Sequence, residues 1–350
     1  MSNTTTMYRS GDQLPARSVL IWRIVQALVW LVGFIIFICL IFFPAVGLLL
    51  FWNILIPVAP ALLVVATGLW RNICPLATTT LFPRHLNLSK KQKMPVVLQT
   101  RLQLLATILL FVIVPLRHAV FNTNGMATAI LLASSIIIGV TMGFFYDWKS
   151  AWCSTLCPIH PVEKLYGGKT VFSFPNAHCN QCVNCSIPCP DSTPGFHPVI
   201  ATKTINQKIS GILIIGVLPG FIWGWFHVPD NHFNISWQTV ANVYTMPVFG
   251  GIISLAVYII LSQLIKGKAE TLLINCFAAA AVSCYYWFRI PELFGFGEYA
   301  GDGLLINLKD VLPEWTVAVI TAATTIFFFV WLTVRRPDKK SWILRPRFAE

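Results

Sequence analysis

Charge is what this sequence has least of. Only 11% of its 350 residues are Asp, Glu, Lys or Arg, and just 13 are acidic. A soluble domain carries about 25% charged residues, so a fold surrounded by water on all sides is excluded. The text also lacks a dinucleotide fingerprint, a P-loop, a nucleophile elbow and an H-E-x-x-H pair. Those gaps remove the patterns through which nucleotide binding, acyl transfer and zinc hydrolysis announce themselves. Short internal repeats and low-complexity tracts are missing too, which sets aside solenoids and polar tails.

What is present is apolar sequence, 56% of the chain. Windows long enough to cross a bilayer lie at 19–43, 45–67, 102–121, 126–146, 209–227, 247–265, 271–290 and 316–334. They predict an all-α integral membrane protein with eight transmembrane helices. The first two form a tight hairpin around Pro44, and Pro115 falls inside the third, where a membrane helix tolerates it. Residues 1–18 are polar and lead into an apolar run too long for a signal-peptide core, with no small-residue cleavage site after it. The first span is therefore expected to be retained. The expected organisation is an N-terminal tail (1–18), helices 1–4 (19–146) with a basic loop at 68–101, a long loop at 147–208, helices 5–8 (209–334) and a basic tail at 335–350.

A net charge of +12 would raise nucleic acid as a partner of a soluble protein. Here the basic residues sit between hydrophobic spans, so they report orientation and contact with anionic lipid instead. With the N-terminus inside, 22 of the 25 Lys and Arg fall on the cytoplasmic side, and only Arg117, Arg289 and Lys309 lie outside. A missed or invented span would reverse every later loop, so this asymmetry supports an even count with both termini cytoplasmic. The segment 291–315, with Glu292, Glu298, Asp302, Asp310 and Glu314, reads as an acidic external loop.

The chemistry collects in cysteines. Cys179, Cys182, Cys185 and Cys189, the last followed by Pro190, form C-x₂-C-x₂-C-x₃-C-P. That is the bacterial run that holds 4Fe–4S clusters, in which the fourth cysteine ligates a neighbouring cluster. Zinc ligands come as two separated pairs, which fits this short run poorly. Both loops also begin with a tryptophan and a Cys-Pro: Trp70 with Cys74-Pro75, and Trp152-Cys153 with Cys157-Pro158. Seven of the ten cysteines thus fall in segments expected in the cytoplasm, where reduced thiols serve as ligands rather than disulfides.

The C-x₃-C-P element from Cys153 to Pro158, at the end of a membrane helix and shortly before a ferredoxin-type run, resembles the polytopic membrane ferredoxins of the NapH, NosR and CcoG (FixG) kind. The resemblance covers residues 68–208. It implies a protein of the bacterial cytoplasmic (inner) membrane that relays electrons between a quinol or ferredoxin donor and a partner redox subunit or oxidoreductase. The CcoG side implies an alternative, an accessory factor that reduces or matures a metalloenzyme. The chain departs from the family pattern of two complete C-x₃-C-P elements and two ferredoxin runs. It has one of each, with Trp70 where the first element's leading cysteine would fall.

Seven cysteines are one short of two fully ligated cubanes, and three arrangements stay open. One cluster takes Cys179, Cys182, Cys185 and either Cys189 or Cys157. Or two clusters form, the second with a non-cysteine ligand for which His160 and His178 are placed. Or one is a three-iron cluster. Of the other tempting residues, Cys39, Cys276 and Cys284 lie inside spans. Cys276 and Cys284 stand about 80° apart around a helix, so packing is their expected role. His118 and His227 end spans on the outer side, where a haem pair or external metal is conceivable and interfacial histidine is the commoner case. Trp70 and Trp152 are placed to shield a cluster from water.

Overall fold

The computed structural model describes residues 16–92, 94–146, 149–169, 177, 204–232, 235–299 and 301–335. Among them there is no strand, only an isolated bridge between Gln92 and Tyr146. Eight helices are long and apolar enough to cross a membrane. They are α1 (Ala16–Phe42), α2 (Pro44–Val65), α6 (Val96–Phe121), α7 (Gly125–Phe145), α10 (Ile205–Phe226), α11 (Trp237–Leu264), α12 (Lys268–Leu293) and α13 (Trp315–Val334). The chain is an all-α polytopic membrane protein, as its hydropathy predicts. Exposed apolar residues such as Leu28, Val32 and Ile35 on α1 and Ile252, Ile253 and Ile260 on α11 supply surface for lipid.

Every span starts a little before its apolar window, and two start six residues or more before it. The third begins at Val96, with Pro95 as its N-cap in an extended conformation. The sixth begins at Trp237, a full ten residues before its window, because the Ser236 side chain accepts the Thr239 amide at 3.1 Å. A helix start is set by the capping bond, which a hydropathy average diluted by Gln238, Thr239 and Asn242 overlooks. A capping box between Thr204 and Gln207 likewise opens α10.

The main core is one continuous cluster that includes Leu63 and Val64 of α2, Ile214 and Ile215 of α10, Tyr258 of α11, Ile274 and Val282 of α12, and Phe328 of α13. The tightest helix contact in it joins α10 to α11. Gly220 and Gly250 meet there backbone to backbone, and a Cβ on either would run into the carbonyl oxygen of the other. Small residues at such crossings let membrane helices approach closely enough for dispersion to hold them.

The first segment expected as a loop is largely helical, and so are the described residues that open the second. Residues 68–101 contain α3 (Thr67–Ile73), α4 (Pro75–Thr80) and α5 (Phe82–His85). The later segment opens with α8 (Lys149–Leu156), a π-helical turn, and α9 (Ile159–Tyr166). Leu165 and Tyr166 of α9 join the main core. Helix α4 packs on α1 and α7, and Gly143 makes this possible because a Cβ there would strike the Thr80 carbonyl. Three basic residues counted as loop charges, Arg71, Arg84 and Lys164, are accordingly buried. The end of α13 meets the same face, where Arg335 Nη1 donates to the Lys169 carbonyl at 2.9 Å and Lys169 Nζ to that of Thr333 at 3.2 Å.

Candidate functional site

Each Cys-Pro pair breaks a helix. A residue before proline is pushed out of the helical region, and proline suits the first turn of the next helix. Cys74 obeys this with φ −55° and ψ 117°, closing α3 while Pro75 opens α4. Cys157 follows α8, with Pro158 leading into α9. The two breaks lie about eighty residues apart in sequence and face one space.

That space is a cavity of about 440 Å³ lined by Cys74, Cys153 and Cys157. Trp70 and Trp152 line it as well, together with apolar residues of α1, α2 and α7 such as Phe37, Leu55 and Leu132. Cys74 and Cys153 also pack against buried Ala77 and Leu81. Polar character enters through Arg71 and Glu163, which form a buried ion pair and reach the same wall. Burial raises the Cys157 thiol to about 11, and the proximity of Cys74 pushes the same way; amides of Ile159 and His160 donating to its sulfur, and the Arg71 guanidinium, oppose them.

His160 is buried beside this wall without lining the cavity. Burial, with Lys164 and then Arg71 nearby, holds its imidazole well below its ordinary pKa and therefore neutral. Its Nδ1 has no hydrogen-bond partner.

Cys179, Cys182, Cys185, Cys189 and His178 lie outside the described residues. The approach to them is described at one point: the amide of Ala177, two residues before Cys179, donates to Asn72 Oδ1 at 3.1 Å. Asn72 is fully buried, two residues before Cys74, and its carbonyl accepts Gln26 Nε2 of α1 at 2.9 Å. The chain is thus anchored beside the first Cys-Pro break on its way to the ferredoxin-type run.

Among the described residues no three His, Cys, Asp or Glu side chains are grouped closely enough to hold one metal ion. A lone tetrahedral ion would draw its sulfurs to about 2.3 Å from itself. What the cavity wall gathers is three thiols, with backbone N–H groups aimed at the Cys157 sulfur and the Arg71 guanidinium nearby. Hydrogen bonds to sulfur and exclusion of water are the levers that tune clusters held by thiolates.

The remaining sequence candidates lie outside the cysteine cavity. His118 has both ring nitrogens engaged, Nδ1 2.6 Å from Asp230 Oδ1 and Nε2 3.0 Å from the Trp225 carbonyl, so it offers nothing to a haem iron. His227 Nδ1 is bonded to the Trp223 carbonyl at 2.7 Å. Cys284 is buried in the core and Cys276 and Cys39 are half-buried. Of the three basic residues expected outside, Arg117 and Arg289 are buried side chains. No family model, characterised protein or solved structure matches the chain.

Proposed function

We propose that this chain is a membrane-bound iron–sulfur electron-transfer protein of the NapH, NosR and CcoG kind. In this reading it sits in the bacterial inner membrane with both termini and the cysteines cytoplasmic, passing electrons from a quinol or ferredoxin to a partner oxidoreductase. One observation carries the reading most: Cys74, Cys153 and Cys157, from two distant segments, line one apolar cavity, and Ala177 is tied beside it just before C-x₂-C-x₂-C-x₃-C-P. Three helix-end thiols with Cys189 make a full cysteine set for one 4Fe–4S cluster. Cys179, Cys182 and Cys185 serve a second whose fourth ligand is not cysteine.

A bound 4Fe–4S cluster supplies storage and release of single electrons. The protein's part is to set the conditions. Trp70 and Trp152 keep water from the thiols, and Arg71 offsets thiolate charge while Glu163 holds its guanidinium in place. The amides of Ile159 and His160 fix the Cys157 sulfur. The apolar walls supplied by α1, α2 and α7 favour a lipid-soluble quinol as the electron donor.

The test is iron and acid-labile sulfide per chain on anaerobically purified protein, with EPR through a redox titration. About eight irons and two titrating signals are expected, two clusters of four. Cys74→Ser, Cys153→Ser or Cys157→Ser should erase one signal and spare the other. Protein that binds no iron under these conditions sinks the proposal.

A further inference from the structure

The end of the bundle opposite the cysteines carries a second cavity, of about 380 Å³, built from residues that no motif marks. One wall is apolar and belongs to the start of α2, with Pro44, Ala45, Leu48 and Leu49. The other wall is charged. Arg289 comes from the last turn of α12, Asp230 and His232 from the segment after α10, and Asp302 from the loop after α12.

Arg289 is 2% exposed. Its Nη1 donates to Glu292 at 2.6 Å, and its Nη2 to the Trp52 carbonyl at 2.7 Å and to Asn53 Oδ1 at 2.8 Å. Its Nε is buried with no hydrogen-bond partner. A buried guanidinium N–H without an acceptor is costly, so the site favours an anionic oxygen beside it. Carboxylates stand on the same wall. Asp302 Oδ2 accepts the Asp230 amide at 2.7 Å, and its Oδ1 lies 3.3 Å from Nε2 of the exposed His232. Asp230 Oδ1 takes Asn122 Nδ2 at 2.7 Å and lies 2.6 Å from His118 Nδ1. An ionised carboxylate has about four lone-pair sites, so both retain capacity for a cation.

The surroundings of the mouth select the source of the ligand. Phe42 and Phe43, at the tip of the α1–α2 hairpin, are 67% and 64% exposed, and Val46 is 48% exposed. In a membrane-spanning chain this apolar surface faces lipid, and it runs directly into the apolar wall. A cation, two anions and an apolar flank at the end of the spans match an amphiphile whose head carries both charges.

We infer that this cavity binds the headgroup of a zwitterionic phospholipid, its phosphate on Arg289 and its ammonium on Asp302 and Asp230, with the glycerol end along Pro44 to Leu49. The inference is independent of the iron–sulfur reading.

The test titrates delipidated protein in dodecyl maltoside with dihexanoyl phosphatidylethanolamine, dihexanoyl phosphatidylglycerol and free phosphoethanolamine, read by native mass spectrometry and thermal unfolding. Phosphatidylethanolamine should bind about tenfold more tightly than phosphatidylglycerol, one charge-assisted contact's worth, and free phosphoethanolamine more weakly than the lipid. Asp302→Asn, which keeps the side chain's shape, should erase that preference without weakening phosphatidylglycerol. Equal affinity for the two lipids in the unaltered protein overturns the inference, as does free phosphoethanolamine binding as tightly as the lipid. The comparison of lipids needs no variant, so a poorly folding Asp302→Asn would not shelter the idea.

Discussion

Around the cysteines, buried charge is set in apolar walls: the Arg71–Glu163 pair meets Trp70, Trp152 and the three thiols of one cavity, and Arg84 and Lys164 are buried at the same end. At the opposite end it is cross-linked by hydrogen bonds. Arg117 lies 4.0 Å from the Trp52 ring centre and 4.7 Å from that of Trp225; His118, Asn122, Asp230 and Asp302 are joined by hydrogen bonds, and Arg289 is bonded to Glu292, Trp52 and Asn53. These bonds tie α6 to the segment after α10, and α12 to α2. The cross-linked end acts as a clamp on the spans. At the cysteine end the Arg71–Glu163 pair shares one wall with the thiols.

The largest effect that separates the two ends should come from Glu163→Ala. Removing one partner of a buried ion pair strips the other charge of its main counter-charge, which costs up to about 3–5 kcal/mol. Thermal unfolding in detergent should show the loss, and the Arg71→Met, Glu163→Leu double variant should recover most of it. A single variant as stable as the parent would mean that the pair is solvated and the wall is not dry.

Overpacking at the helix crossing comes next. Gly220→Ala places a Cβ against the Gly250 carbonyl, and forcing those backbones apart should cost about 1–3 kcal/mol. His118→Ala acts on the clamp instead. It strips Asp230 and the Trp225 carbonyl of a partner, for which about 1–3 kcal/mol is expected. Neither substitution should alter a signal arising at the cysteines. A change in that signal with His118→Ala would break the division of labour between the ends.

The spans and their number were legible because hydropathy and charge asymmetry are properties of contiguous sequence. The Cys-Pro breaks were legible because proline acts on its immediate neighbour. What was not legible depends on partners far away in the chain. Arg71 reads as an ordinary loop cation until Glu163 is brought against it, and Arg117 and Arg289 read as exceptions to the positive-inside pattern until Trp52, Asp230 and Glu292 surround them. The cavity at the end opposite the cysteines draws on five segments that contribute one to six residues each, so no window of sequence contains it. Helices α3, α4 and α5 escaped because they are too short for periodicity, and because Arg71 in α3 and Arg84 in α5 are the kind of basic residue that usually marks a loop.

The smallest expected effect sharpens the contrast among the cysteines themselves. Cys276 sits half-buried on α12, outside the cysteine cavity, and behaves as a small apolar side chain. Cys276→Ala removes one sulfur from a partly exposed site, so its stability cost should stay below about 1 kcal/mol, and iron content and EPR should match the parent. Cys74→Ala deletes the same sulfur from the cavity wall and should lose a signal. If both variants kept every signal, wall position would not distinguish ligand from packing, and the convergence of the helix-end cysteines would carry no redox meaning.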